Sequence, residues 1–108
     1  MREFSIIIGT TGHRDLTNIN IDVFKSILKE QIQCIIFKYP NSEIKLLTCL
    51  AEGADQLCAE VALELGISII VPLPMEVNDY IKDFKDEALI KFNSLLNKAE
   101  RNFVVPYI

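Results

Sequence analysis

A chain of 108 residues that is 50% hydrophobic and 24% charged has enough apolar material for one folded domain, which disfavours intrinsic disorder. Its 15 acidic residues outnumber 11 basic ones, a formal net charge of −4, and this disfavours an extended nucleic-acid-binding face. No apolar run approaches a membrane span and the amino end lacks a signal-peptide pattern, so a cytoplasmic protein is expected.

Phe4 to Ile8 is a short, β-branched apolar run that ends at Gly9 and predicts a buried strand. From Asp22 to about Lys38, Phe24, Ile27, Leu28, Gln31, Ile32, Ile35 and Ile36 recur at helical spacing, with Asp22 near the helix start and Pro40-Asn41 as the break. Glu43 to Leu50 reads as a second strand. Ala54, Leu57, Cys58, Val61, Ala62 and Leu65 form one helical face, and Gly66 suits the stop. Ile67 to Leu73 is a third strand, its end marked by Pro72 and Pro74. Asn78 to Ala99 carries Tyr80, Phe84, Ala88, Phe92 and Leu96 at four-residue steps, predicting a third helix, and Asn102 to Ile108 is a fourth strand.

The order β-α-β-α-β-α-β, with strands that read as apolar on both faces, predicts an α/β domain over residues 1–108. The expected architecture is three-layered and Rossmann-like: a four-stranded parallel sheet with helices on both faces. A strand order of 3-2-1-4 would put strand 1 at a topological switch point, where ligands bind outside the carboxyl ends of the strands. The last strand is apolar and lacks a polar tail, so it is expected either to be covered by another subunit or to continue in a longer parent chain.

Cys34, Cys49 and Cys58 form neither a metal-binding spacing nor an even disulfide framework, and are expected to be reduced core residues. Three loops carry the chemistry. In "GTTGHR", Gly9 and Gly12 allow close approach of a ligand, Thr10 and Thr11 offer hydroxyls and amides, and Arg14 offers a planar fork for phosphate. His13, the single histidine, can donate to an anion or titrate near neutrality. The set has the make-up of an anion nest. It could equally be a glycine-rich turn with an exposed arginine, because glycine marks turns for many reasons.

In the second loop, "LAEGAD", Gly53 sits where strand passes into helix, with Ala54 and Asp55 in the first turn. Asp55 is either a cap or dipole partner, or part of a phosphate site built on exposed helix amides. Glu52 would repel a phosphate, but would suit a ribose hydroxyl, pair with Arg14, or act as a general base. In the third loop, Leu73, Pro74 and Glu76 lead to Tyr80, which is either core or a platform for a ligand ring.

Catalytic constellations are thin. Ser5, Ser26, Ser42, Ser68 and Ser94 include none in an elbow motif, and one His without a Cys cluster argues against zinc. The possible carboxylate pairs, Glu52 with Asp55 and Glu76 with Asp79, are unspecific. No cofactor or metal is implied.

"GTTGHRDL", "LAEGADQLCAEVALELG" and "IIVPLPMEVNDYIKDF" together resemble the SLOG superfamily of Rossmann-like domains. The likeness is greatest to members with a "GxTGHRxL" opening and an "LAxGAD" second motif, and it spans most of the chain. That superfamily includes the LONELY GUY phosphoribohydrolases, the DNA-processing protein A family and prokaryotic nucleotide-signal sensors in defence systems. The resemblance implies a phosphate-bearing nucleotide ligand at the strand ends. Gly9, Thr10, Thr11, Gly12, His13 and Arg14 would form the first wall, Glu52, Gly53 and Asp55 the second, and Leu73, Pro74 and Glu76 the third. The "PGGxGTxxE" motif of the phosphoribohydrolases has no match here, which weighs against glycosidic-bond hydrolysis. Members also tend to be longer. The expected function is therefore nucleotide sensing, read out by a homo-oligomer or a fused or associated effector. A hydrolase using Glu52 and a single-stranded nucleic-acid binder are the alternatives.

Overall fold

The computed structural model describes residues 4–10 and 20–105. Strand β1 (Phe4–Gly9), helix α1 (Ile21–Lys38), β2 (Ser42–Leu47), α2 (Ala54–Glu64) and β3 (Ser68–Leu73) follow in order. The short α3 (Val77–Tyr80), a 3-10 turn (Ile81–Asp83), α4 (Asp86–Lys98) and β4 (Arg101–Val104) complete them. No helix among the described residues is long and apolar enough to cross a membrane.

The strands form one four-stranded, all-parallel sheet, in the order β1-β2-β3-β4. The expected 3-2-1-4 order is thereby corrected: each strand lies beside its neighbour in sequence, with no switch point among the described strands. Right-handed crossovers that always step the same way must stack their helices on one face. The packing agrees, for α2 touches both α1 and α4. One core cluster unites Ile32 of α1, Ala59 and Ala62 of α2, Phe92 and Leu95 of α4, and Ile44, Leu46, Ile69 and Val71 of the sheet. The expectation of helices on both faces is corrected with it, to a two-layer arrangement among the described residues.

Burial follows the strand period of two. Ile69, Val71 and Leu73 point to the helices and are buried, whereas Ser68, Ile70 and Pro72 alternate with them and are half-buried. On the open side, Ile7 of β1 is 57% exposed despite its apolar neighbours. The exposure of Ile7 shows that this face of the sheet is open at β1, which the strand order places at the edge. Pro72 is tolerated in an inner strand for a local reason. The β2–β3 ladder stops at Leu47↔Ile70, so the missing N–H falls beyond the end of β2.

Helix ends obey local chemistry. Asn20 caps α1, its side chain accepting from the Val23 amide at 3.1 Å. Gly66, with φ 78, takes the left-handed turn after α2, as its position in sequence predicts. The predicted third helix is interrupted, because Phe84 is extended at ψ 136 and Lys85 restarts the helix as the N-cap of α4. All three thiols are free, but Cys34 is exposed, which corrects its expected core position; Cys49 and Cys58 are half-buried.

Candidate functional site

Because all four strands run parallel, the segments after β1, β2 and β3 leave the sheet at one edge. The inner of these, residues 48–53, is the best defined. Thr48 continues β2 by donating its amide to the Ile70 carbonyl at 3.0 Å, and its Oγ1 accepts from the Leu50 amide at 3.2 Å. Leu50 is fully buried with φ 56, a left-handed conformation that branched side chains rarely adopt. Such strain persists only where the surroundings over-determine it. Here Thr48 holds one side of Leu50, and Gln56 holds the other. Gln56 Nε2 donates to the Leu50 carbonyl at 3.2 Å and to the Ala88 carbonyl of α4 at 2.9 Å.

Gly53 is the N-cap of α2 with φ 92, a conformation that favours glycine, and no side chain caps the helix there. The amides of Ala54, Asp55 and Gln56 thus begin a helix whose positive end has no side-chain acceptor at its cap. Asp55 lies within this first turn at 6% exposure. Its Oδ2 accepts a weak bond from Cys49 Sγ at 3.4 Å, while Oδ1 is buried with no hydrogen-bond partner among the described residues. Asp55 is therefore no N-cap, and part of its carboxylate is buried without compensation, a costly arrangement. Burial, and then the Asp55 charge, push the Cys58 thiol above its ordinary pKa. Glu52, which is half-buried, accepts from the Lys85 amide at 3.3 Å and so ties this loop to the start of α4.

From the first loop, Gly9 and Thr10 are described; Thr11, Gly12, His13 and Arg14 lie outside the described residues. Gly9 ends β1, and an added Cβ would meet nothing within 4 Å. The Thr10 amide donates to the Leu47 carbonyl at 3.2 Å, so this amide is already engaged by the sheet. Its Oγ1 is buried and, like Asp55 Oδ1, has no partner among the described residues.

From the third loop, Leu73 is buried in the core at 1% exposure, and its carbonyl accepts from the Val105 amide. Pro74 and Glu76 are exposed. Tyr80 does two things. Its hydroxyl donates to the Cys49 carbonyl at 3.0 Å, and its ring meets Phe84 and Phe92 edge-on at 5.2 and 5.8 Å.

Two cavities flank this edge. One, of about 420 Å³, lies among the starts of α1, α2 and α4 and is lined by Ile21, Glu52, Gly53, Gln56, Lys85 and Lys91, among others. The second, of about 220 Å³, lies between Ala51 and the segment from Met75 to Phe84. Sequence reasoning missed Gln56 and Leu50. A glutamine inside an apolar helical face was the available sign for the first; nothing in sequence marks the second. Among the described residues no cluster of three or more His, Cys, Asp or Glu could hold a metal. No protein-family model matches the chain, and no curated protein matches it.

Proposed function

We propose that the protein binds a nucleotide or nucleotide-derived ligand through its phosphates at the carboxyl edge of the sheet, and signals its occupancy to a partner or fused effector. The observation that carries this reading is two buried oxygens with no partner among the described residues, Thr10 Oγ1 just after β1 and Asp55 Oδ1 in the first turn of α2. Folding alone gains nothing from burying polar atoms in this way. The two have complementary chemistry: the Thr10 hydroxyl can donate to a phosphate oxygen, and the Asp55 carboxylate can accept from a ribose hydroxyl. The uncapped start of α2 adds amides and a favourable dipole for an anion. Glu52, Asp55 and Glu76 make the edge acidic; Lys85 and Lys91 bring positive charge to the larger cavity, and His13 and Arg14 of the first loop are the further cationic residues the sequence offers.

The half-open sheet supports the second part of the reading. A parallel sheet ordinarily has both faces covered, and the open face, where Ile7, Leu47, Ile70 and Phe103 are interspersed with Lys45 and Arg101, offers a mixed apolar and charged surface to a second copy or an effector. Calorimetric titration with AMP, ADP-ribose and cyclic nucleotides tests the binding reading. At least one should give heat, and Arg14→Ala should weaken it by about tenfold or more, equivalent to ~1.4 kcal/mol. Absence of heat from all of them overturns the reading. Light scattering with and without ligand tests self-association.

A further inference from the structure

The cavity of about 220 Å³ is lined by Ala51, Met75, Asp79, Tyr80, Asp83 and Phe84. It is smaller than the ~300–1,000 Å³ of sites that engulf a whole drug-sized ligand, so it suits one ring system. Ala51 follows β2, Met75 follows β3, and both belong to the edge at which the phosphates are proposed to bind. Its lining divides in two. Tyr80 and Phe84 supply aromatic surface, and Met75, 45% exposed, supplies a flexible thioether. Such surfaces stack on a planar base.

Asp79 and Asp83, one helical turn apart, supply acceptors only. Asp79 is paired with Lys82 at 3.1 Å. The Asp83 side chain has no ion pair or hydrogen bond among the described residues. A base that satisfies a lone carboxylate edge must present two donors side by side. Guanine does so with its N1–H and 2-amino group. Adenine and hypoxanthine do not, because each places a single donor on that edge.

We propose that this cavity is a nucleobase site selective for guanine, with Asp83 accepting from the two edge donors and Phe84 and Met75 flanking the ring. The proposal rests on the nucleotide-binding reading and adds the identity of the base. An Asp83→Asn side chain would present one acceptor and one donor, which matches xanthine rather than guanine.

Calorimetry with GMP, AMP, IMP and XMP on wild type and Asp83→Asn tests it. Asp83 is exposed, so the variant should fold, and its circular dichroism melt checks that it does. Wild type should bind GMP about tenfold or more tighter than AMP and IMP, the usual discrimination of a two-bond edge contact. In Asp83→Asn the GMP preference should vanish, while XMP and AMP, whose edges set one donor beside one acceptor, should gain. Equal affinity of wild type for GMP and AMP overturns the base assignment but leaves nucleotide binding intact. So does an unaltered GMP-to-AMP ratio in Asp83→Asn. Absence of heat from all four nucleotides overturns both.

Discussion

The Tyr80 hydroxyl donates to the Cys49 carbonyl at 3.0 Å, so a side chain beyond β3 fixes the backbone beyond β2. Two of the three edge loops are thereby one mechanical unit. Removing that hydroxyl while keeping the ring isolates the bond. Tyr80→Phe should lower stability by about 0.5–1.5 kcal/mol, the net worth of one intramolecular hydrogen bond. Urea denaturation reads this directly; an unmoved midpoint would mean that water replaces the hydroxyl at no cost.

Gln56 is 3% exposed and ties two carbonyls from different elements, Leu50 and Ala88. Gln56→Leu keeps similar bulk but leaves both acceptors buried, each at a cost of about 1–3 kcal/mol. The same substitution frees Leu50 from one of its two restraints. A drop in the thermal midpoint is therefore expected together with faster amide exchange in residues 48–53. Exchange that stays slow would place the restraint of Leu50 elsewhere.

Asp55 should separate folding from binding. In Asp55→Asn the favourable charge in the first turn of α2 is lost, at about 0.3–1 kcal/mol, but an uncompensated buried charge is lost as well. The two effects oppose each other, so stability should move by less than about 1 kcal/mol while nucleotide affinity falls. Parallel denaturation and calorimetry distinguish the cases. A large stability loss with unchanged affinity would make Asp55 purely structural.

Cys58 predicts a pH dependence of definite sign. Its thiol pKa is raised in the folded state, by burial first and by Asp55 second. The folded protein then holds the proton over a window where the unfolded chain has released it, and stability falls as pH rises through that window. Its contribution is complete below the unfolded thiol pKa of ~8.5 and is lost as pH climbs through the folded value. Guanidinium denaturation between pH 7 and 10 should show a decline that Cys58→Ala reduces. Alkylation should follow exposure, with Cys34 modified before Cys58.

Local features of the fold were legible in the residues. The run from Phe4, the stop implied by Gly66, and the helical face from Ala54 to Leu65 each reflect chemistry within a few residues, and each appears where expected; the cap expected of Asp55 does not, since Gly53 takes that place. The order of strands was not legible, because Ile7 in an edge strand and Ile69 in an inner one read alike by composition. The third helix misled for another reason. Tyr80, Phe84 and Phe92 keep a four-residue step across the break at Phe84, and their rings still meet, so the spacing records a shared cluster rather than a continuous helix. At the site, Asp55 and Glu52 stood out as chemistry-bearing residues. That one oxygen of Asp55 is stranded, and that Glu52 receives the Lys85 amide, depends on tertiary neighbours that no local pattern records.

The sequential order of the strands has a further consequence for how the molecule comes apart. Each ladder joins strands that follow one another in the chain, so each closes across a single crossover, as from Phe4 to Ser42. Unravelling should begin at the outer strands and travel inward, with β4, whose residues are all exposed, released ahead of β2 and β3. A ligand gripping the ends of β1 and β2 would therefore brace one flank of the ribbon and leave the other free to breathe.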